Sequence, residues 1–156
     1  MPVSFYLFCF ISTECGGIYN SSQGVIESQN FPLPYPHQQN CKWTVYPWSD
    51  HYLRISIKHV HIYPTEKCTG EFLKVEIGHF PNQRRLCGLH SDITYVVDRS
   101  IYFRFRSRNS NTNHDGFRVE YSQVHVSELG SLERDHVTVN GRYIPYDDRL
   151  WIPPAS

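Results

Sequence analysis

The stretch Cys41-Lys-Trp-Thr-Val-Tyr-Pro-Trp-Ser-Asp-His-Tyr-Leu-Arg-Ile-Ser-Ile57 holds two runs in which every second residue is apolar. Cys41, Trp43 and Val45 form the first, Leu53, Ile55 and Ile57 the second, and the turn-forming Pro47-Trp-Ser-Asp50 lies between them. Side chains alternate across a strand, so period two marks half-buried strands, each with one face turned to a core. The same pattern recurs at Leu73, Val75, Ile77, at Ile101, Phe103, Phe105 and at Phe117, Val119, Tyr121. Between the runs lie residues that favour turns, at 30–36, 78–82 and 108–116. No segment shows a helical stripe. Short strands at this spacing predict an all-β fold, a sandwich or a barrel, and periodicity alone does not choose between them.

Bulk composition agrees. The 156 residues suit one domain of about 100–150 residues plus a tail. Hydrophobic residues make up 40% and charged residues 19%, enough apolar material for a core and too little charge for a disordered chain. Fifteen basic and fifteen acidic side chains cancel, so no overall field draws the chain to nucleic acid. Residues 1–13 form an apolar leader whose Val3–Ile11 core has signal-peptide length and is too short to span a bilayer. It lacks a basic start and a clean small-residue cleavage site. Removal near Ser12 or Thr13 would take Cys9 with it and leave the even set Cys15, Cys41, Cys68 and Cys87, which fits an oxidising compartment. Four cysteines allow three pairings. The sequon Asn20-Ser-Ser22 is the expected glycosylation site there. Residues 14–123 read as the domain and 124–156 as a linker or tail, with a hairpin at 137–144 about Asn140-Gly141.

Taken in order, Cys15-Gly-Gly17, Asn30-Phe-Pro32, Tyr35-Pro36, Cys41-Lys-Trp43, Cys87-Gly88, Phe105-Arg-Ser107 and Gly116-Phe117 resemble the CUB domain family over roughly residues 15 to 122. The resemblance implies an antiparallel two-sheet, jelly-roll-like sandwich with disulfides Cys15–Cys41 and Cys68–Cys87. It also implies a site where many relatives hold Ca²⁺ with three acidic side chains. Those positions fall here on Tyr63, Glu71 and Arg108, so one carboxylate remains. Calcium takes about six to eight oxygens and follows ligand charge, so this site reads as degenerate, and no metal or other cofactor is expected. Arg108 would either pair with Glu71 in place of the ion or point with it into water, and Asp115 could move in as a substitute ligand.

Three further features bear on binding. Arg104 and Arg106 alternate with Phe103 and Phe105 and continue to Arg108, a basic stripe on one strand face for an acidic partner or a sulfated glycan. Joined by Arg118, Arg84, Arg85 or Arg99 the stripe would be larger; offset by Glu120 and other acids as cross-strand pairs it would be an ordinary solvated face. Trp48, in a turn beside Pro47, is the best single exposed anchor for a protein partner. His59 and His61 share one face of a strand, but zinc needs a third and fourth ligand and no motif supplies them.

Nucleophile motifs and phosphate-cradling glycine loops are absent from the sequence, so an enzyme is not expected. The expected function is an extracellular protein-interaction module, secreted or on the cell surface, that does not depend on calcium. The alternatives are a non-catalytic regulatory fragment of an extracellular protease and a soluble spermadhesin-like glycan- or heparin-binding protein.

Overall fold

The computed structural model describes residues 15–78, 83–109, 113–131, 133–134, 136–140 and 142–145; the leader 1–13 and residues 146–156 lie outside them. Twelve strands are described: β1 (Gly16–Tyr19), β2 (Gln23–Glu27), β3 (Asn40–Val45), β4 (His51–Ile62), β5 (Phe72–Ile77), β6 (Gln83–Leu86), β7 (Gly88–His90), β8 (Ile93–Val97), β9 (Ile101–Arg106), β10 (Gly116–His125), β11 (His136–Val139) and β12 (Arg142–Pro145). They form a five-stranded sheet in the order β1-β3-β9-β5-β6 and a seven-stranded sheet in the order β12-β11-β8-β4-β10-β2, with β7 on β4. Neighbours run antiparallel except β1 and β3, which pair in parallel.

The core lies between the sheets, where period two places it. All fifteen residues of the five alternating runs are buried in one cluster. Trp43 meets Phe117 edge to face across the layers, with ring centres 5.6 Å apart, and Phe105 packs on Phe117 at 5.3 Å and on Tyr35 at 5.1 Å. The disulfides Cys15–Cys41 and Cys68–Cys87 join Cα atoms 5.1 and 5.5 Å apart. On the chain-entropy view each stabilises the fold by roughly 3 kcal/mol.

One irregularity decides which side chains reach solvent. The register of β4 against β10 slips between the pairs Arg118↔His59 and Val119↔Ile57, so Lys58 is an extra residue in β4. Before this bulge Leu53, Ile55 and Ile57 face the core; after it Val60 and Ile62 do. Strict alternation would have driven His59 and His61 inward, and the bulge turns both to the outer face.

The stretch after Gln123 departs from the expected linker. β10 continues to His125, and β11 then joins the seven-stranded sheet beside β8. β11 and β12 pair antiparallel, from His136 opposite Pro145 to Val139 opposite Arg142, with Asn140 at positive φ between them. Apolar cover is the physical reason: Val137 enters the main core, while Leu129 joins Val96, Val124 and Tyr52 in a small outer cluster. Arg134 donates to the carbonyls of Val126 and Leu129, and Arg54 pairs with Glu133 at 3.4 Å.

Candidate functional site

The positions expected to form a degenerate ion site do converge, at the end of the sandwich where β9 stops and β10 starts. Glu71, just before β5, is 2% exposed. Its Oε1 accepts a hydrogen bond from the Tyr35 hydroxyl at 2.6 Å, and its Oε2 accepts one from the Arg108 backbone N–H at 2.5 Å. The Tyr35 hydroxyl in turn accepts the backbone N–H of Tyr63 at 3.1 Å. Glu71 therefore neither pairs with the Arg108 guanidinium nor points into water. It ties the loop after β9 through the main chain, and Arg108 leaves its side chain exposed. Sequence reasoning named Tyr35 within the Tyr35-Pro36 motif and missed that its hydroxyl joins Tyr63 to Glu71.

The arginine stripe lies on the outer face of the five-stranded sheet. Arg104 stands directly opposite Lys42 of β3 and Lys74 of β5, and Lys74 stands opposite Arg85 of β6. Four cations thus form one row across four strands, about 14 Å long at the usual strand spacing. Arg106 lies beside the row, and Arg85 stacks over the Phe72 ring at 4.3 Å. A groove of about 620 Å³ runs along Arg104, Arg106 and Arg108, bordered by Asn40, Gln38 and Asn109. Glu76, 3.8 Å from Lys74, is the one carboxylate on this face among the described strand residues. Glu120 does not offset the stripe: it lies on β10, in the other sheet, where it and Glu27 engage Arg118. Those hydrogen bonds, Glu27 first, hold the Arg118 guanidinium pKa above its ordinary value. Arg118 is thus removed from the stripe. Arg99, beside Asp98, sits at the opposite end of the strands.

Trp48 is 43% exposed and lies at that opposite end. Its indole N–H donates to the Asn20 carbonyl at 2.6 Å and its ring meets His51 edge to face. Asn20 itself is exposed, between β1 and β2.

The structure also makes a cluster that the sequence did not announce. Asp115 Oδ1 lies 2.8 Å from His59 Nε2 and 3.4 Å from His61 Nδ1. All three side chains are about one-third exposed. The His114 ring packs tilted against His61 with centres 4.4 Å apart, and the Tyr63 ring lies edge-on to it.

A disulfide-stapled β-sandwich with a pinned loop end and a cationic sheet face is a scaffold for recognition, with its contacts on loops and on a rigid face. The chain belongs to the CUB domain family, whose sequence pattern matches residues 15–121. CUB domains are generally non-catalytic, protein-interacting modules of extracellular proteins. Cubilin of Canis lupus familiaris is 33% identical over 117 residues, 72% of this chain and 3% of that protein. The cubilin homolog of Drosophila melanogaster is 25% identical over 151 residues, 91% of this chain and 4% of that protein. The chain therefore spans a small fraction of the length of these relatives. Among solved structures, the MASP-1 CUB2 domain bound to Ca²⁺ superimposes with a TM-score of 0.57 at 24% identity, covering 69% of this chain and 98% of that one, a likeness of fold.

Proposed function

We propose that this chain is a secreted or cell-surface interaction module of CUB type that binds an extracellular protein without calcium at the family position. The observation that carries the reading is Glu71. A calcium site draws on several charged oxygens, whereas only this one of the three positions carries a carboxylate, each of its oxygens already serves a protein donor, and the flanking positions offer the phenol of Tyr63 and the cation of Arg108. The loops that an ion would gather are held instead by Tyr35, Glu71 and two backbone amides. Partner binding then draws on surfaces that survive chelation, with Trp48 as one anchor and a glycan at Asn20 lying beside it. Calorimetric titration of Ca²⁺ into the tag-free folded domain tests this. No saturable heat is expected, and micromolar binding would overturn the reading. Capture of an extracellular protein that is lost in EDTA would do the same.

A second reading has its own observation, the row Lys42, Arg104, Lys74 and Arg85. Like charges directly opposite one another on neighbouring strands destabilise a sheet, so this row is one that stability alone does not favour. It matches the repeated anionic groups of a sulfated glycan. Heparin-column retention that falls in the Arg104→Ala, Arg106→Ala double variant supports it; elution of the unaltered protein at low salt removes it.

A further inference from the structure

We infer that His59, His61 and Asp115 form a surface site for a divalent transition-metal ion, separate from the family's calcium position. Two independent chain features create it. The extra residue Lys58 in β4 rotates His59 and His61 out of the core and onto the outer face of the seven-stranded sheet, two residues apart on one side of the strand. Asp115 is delivered from the other direction by the entry to β10. There Gly116 has φ +92°, and a Cβ at that position would lie 1.8 Å from Ser28 Oγ, so the chain passes too close for any other residue. Ser28 Oγ accepts the Phe117 N–H at 3.0 Å and fixes the same turn.

The donor geometry suits a metal. The potential ligand atoms, one from each residue, all lie within 4.8 Å of one another. Tetrahedral zinc with bonds of about 2.0–2.1 Å places neighbouring ligands about 3.3 Å apart. Asp115 Oδ1 already stands 2.8 and 3.4 Å from the two ring nitrogens, and binding asks the imidazoles to close from within 4.8 Å of one another to that spacing. The rings are braced for this: His59 against Phe31 at 5.7 Å, His61 against His114 at 4.4 Å. Imidazole and carboxylate are the donor types that zinc and copper(II) accept, and three protein ligands leave a fourth position to water. The nearest fixed cation on the facing strand, Arg118, is drawn aside by Glu27 and Glu120, which leaves the Asp115 charge to attract the ion.

Zinc titration by calorimetry into the tag-free, disulfide-intact chain is the test. One saturable equivalent is expected, and His59→Gln, His61→Gln and Asp115→Asn should each weaken it by at least about tenfold. The His51→Gln, His125→Gln double variant removes a histidine pair outside the site, whose rings are 5.1 Å apart, and should bind zinc unchanged. Cobalt(II) should give the strong visible absorption of a tetrahedral site in the unaltered chain and not in His61→Gln. If Asp115→Asn folds poorly, His59→Gln, on the exposed face, carries the same test. Absence of saturable binding, equal affinity in the His59→Gln, His61→Gln double variant, or loss on changing His51 and His125 would each overturn the proposal.

Discussion

Replacing Tyr35 with Phe removes one oxygen atom and leaves the ring, with its edge-on contact to Phe105, in place. That oxygen donates to Glu71 Oε1 at 2.6 Å and accepts from the Tyr63 N–H at 3.1 Å, so one deletion withdraws a donor from a carboxylate and an acceptor from a backbone amide. A hydrogen bond to a charged group contributes about 1.5–3 kcal/mol, and a neutral one about 1 kcal/mol. Glu71 is 2% exposed, so water does not readily replace the lost donor, whereas Tyr63 is 37% exposed and its bond to Tyr35 is only part-buried. The expected loss is therefore about 2–3 kcal/mol, dominated by Glu71. For a domain of this size that lowers Tm by about 6–12 °C. Thermal and urea unfolding with the disulfides intact measure it, with Tyr46→Phe at an exposed tyrosine as the control expected to stay within about 0.5 kcal/mol. If Tyr35→Phe also fell within about 0.5 kcal/mol, the loops would not be held by this carboxylate and the calcium-free reading would lose its support. A cycle with Glu71→Gln should show coupling of at least about 1 kcal/mol, because the two side chains share one bond.

Gly116→Ala should destabilise by about 3 kcal/mol or more, since it combines a left-handed φ with a Cβ placed 1.8 Å from Ser28 Oγ; a Tm within about 3 °C of the parent would refute this. Burial, then the charge of Arg84, lowers the His90 pKa against the opposing pull of its bond to the Cys87 carbonyl. Its unfolded form therefore takes up a proton first: the stability due to neutral His90 is complete above about pH 6.5 and is lost as pH falls through the folded pKa, so His90→Gln should flatten the fall in Tm between about pH 7 and 5.5. Identical slopes would count against it. Cys68→Ser with Cys87→Ser opens a link of 19 residues and should reduce unfolding free energy by roughly 3 kcal/mol, read by urea titration.

Alternation marked the strands and their inward faces because it is a local signal. Each run, from Cys41-Lys-Trp-Thr-Val45 to Phe117-Arg-Val-Glu-Tyr121, carries its own inward face, and all of those faces are buried. The signal fails where a local rule is broken for a non-local reason. Continued from Ile57, period two reads His59 and His61 as inward, and only the bulge at Lys58 shows otherwise. It also fails where burial depends on a docking partner: Val137 and Leu129 look like scattered apolar residues in a tail until β8 and the outer cluster cover them. The parallel pairing of β1 with β3 likewise leaves no mark in the spacing.

The candidate surfaces divide along the same line. Arg104 and Arg106 are legible as a stripe because they sit on one strand, but whether acids neutralise them depends on which strands lie alongside, and that is a property of topology. Glu120, a plausible counter-charge in the sequence, falls in the opposite sheet and neutralises Arg118, while the true neighbours of Arg104 are Lys42 and Lys74. The two outer faces thus acquire different chemistry from a chain with no net charge: a cationic row met by the single carboxylate of Glu76 among the described strand residues on one, and carboxylates matched to an arginine and two imidazoles on the other. Strand order therefore converts a neutral composition into one face suited to anions and another suited to a cation.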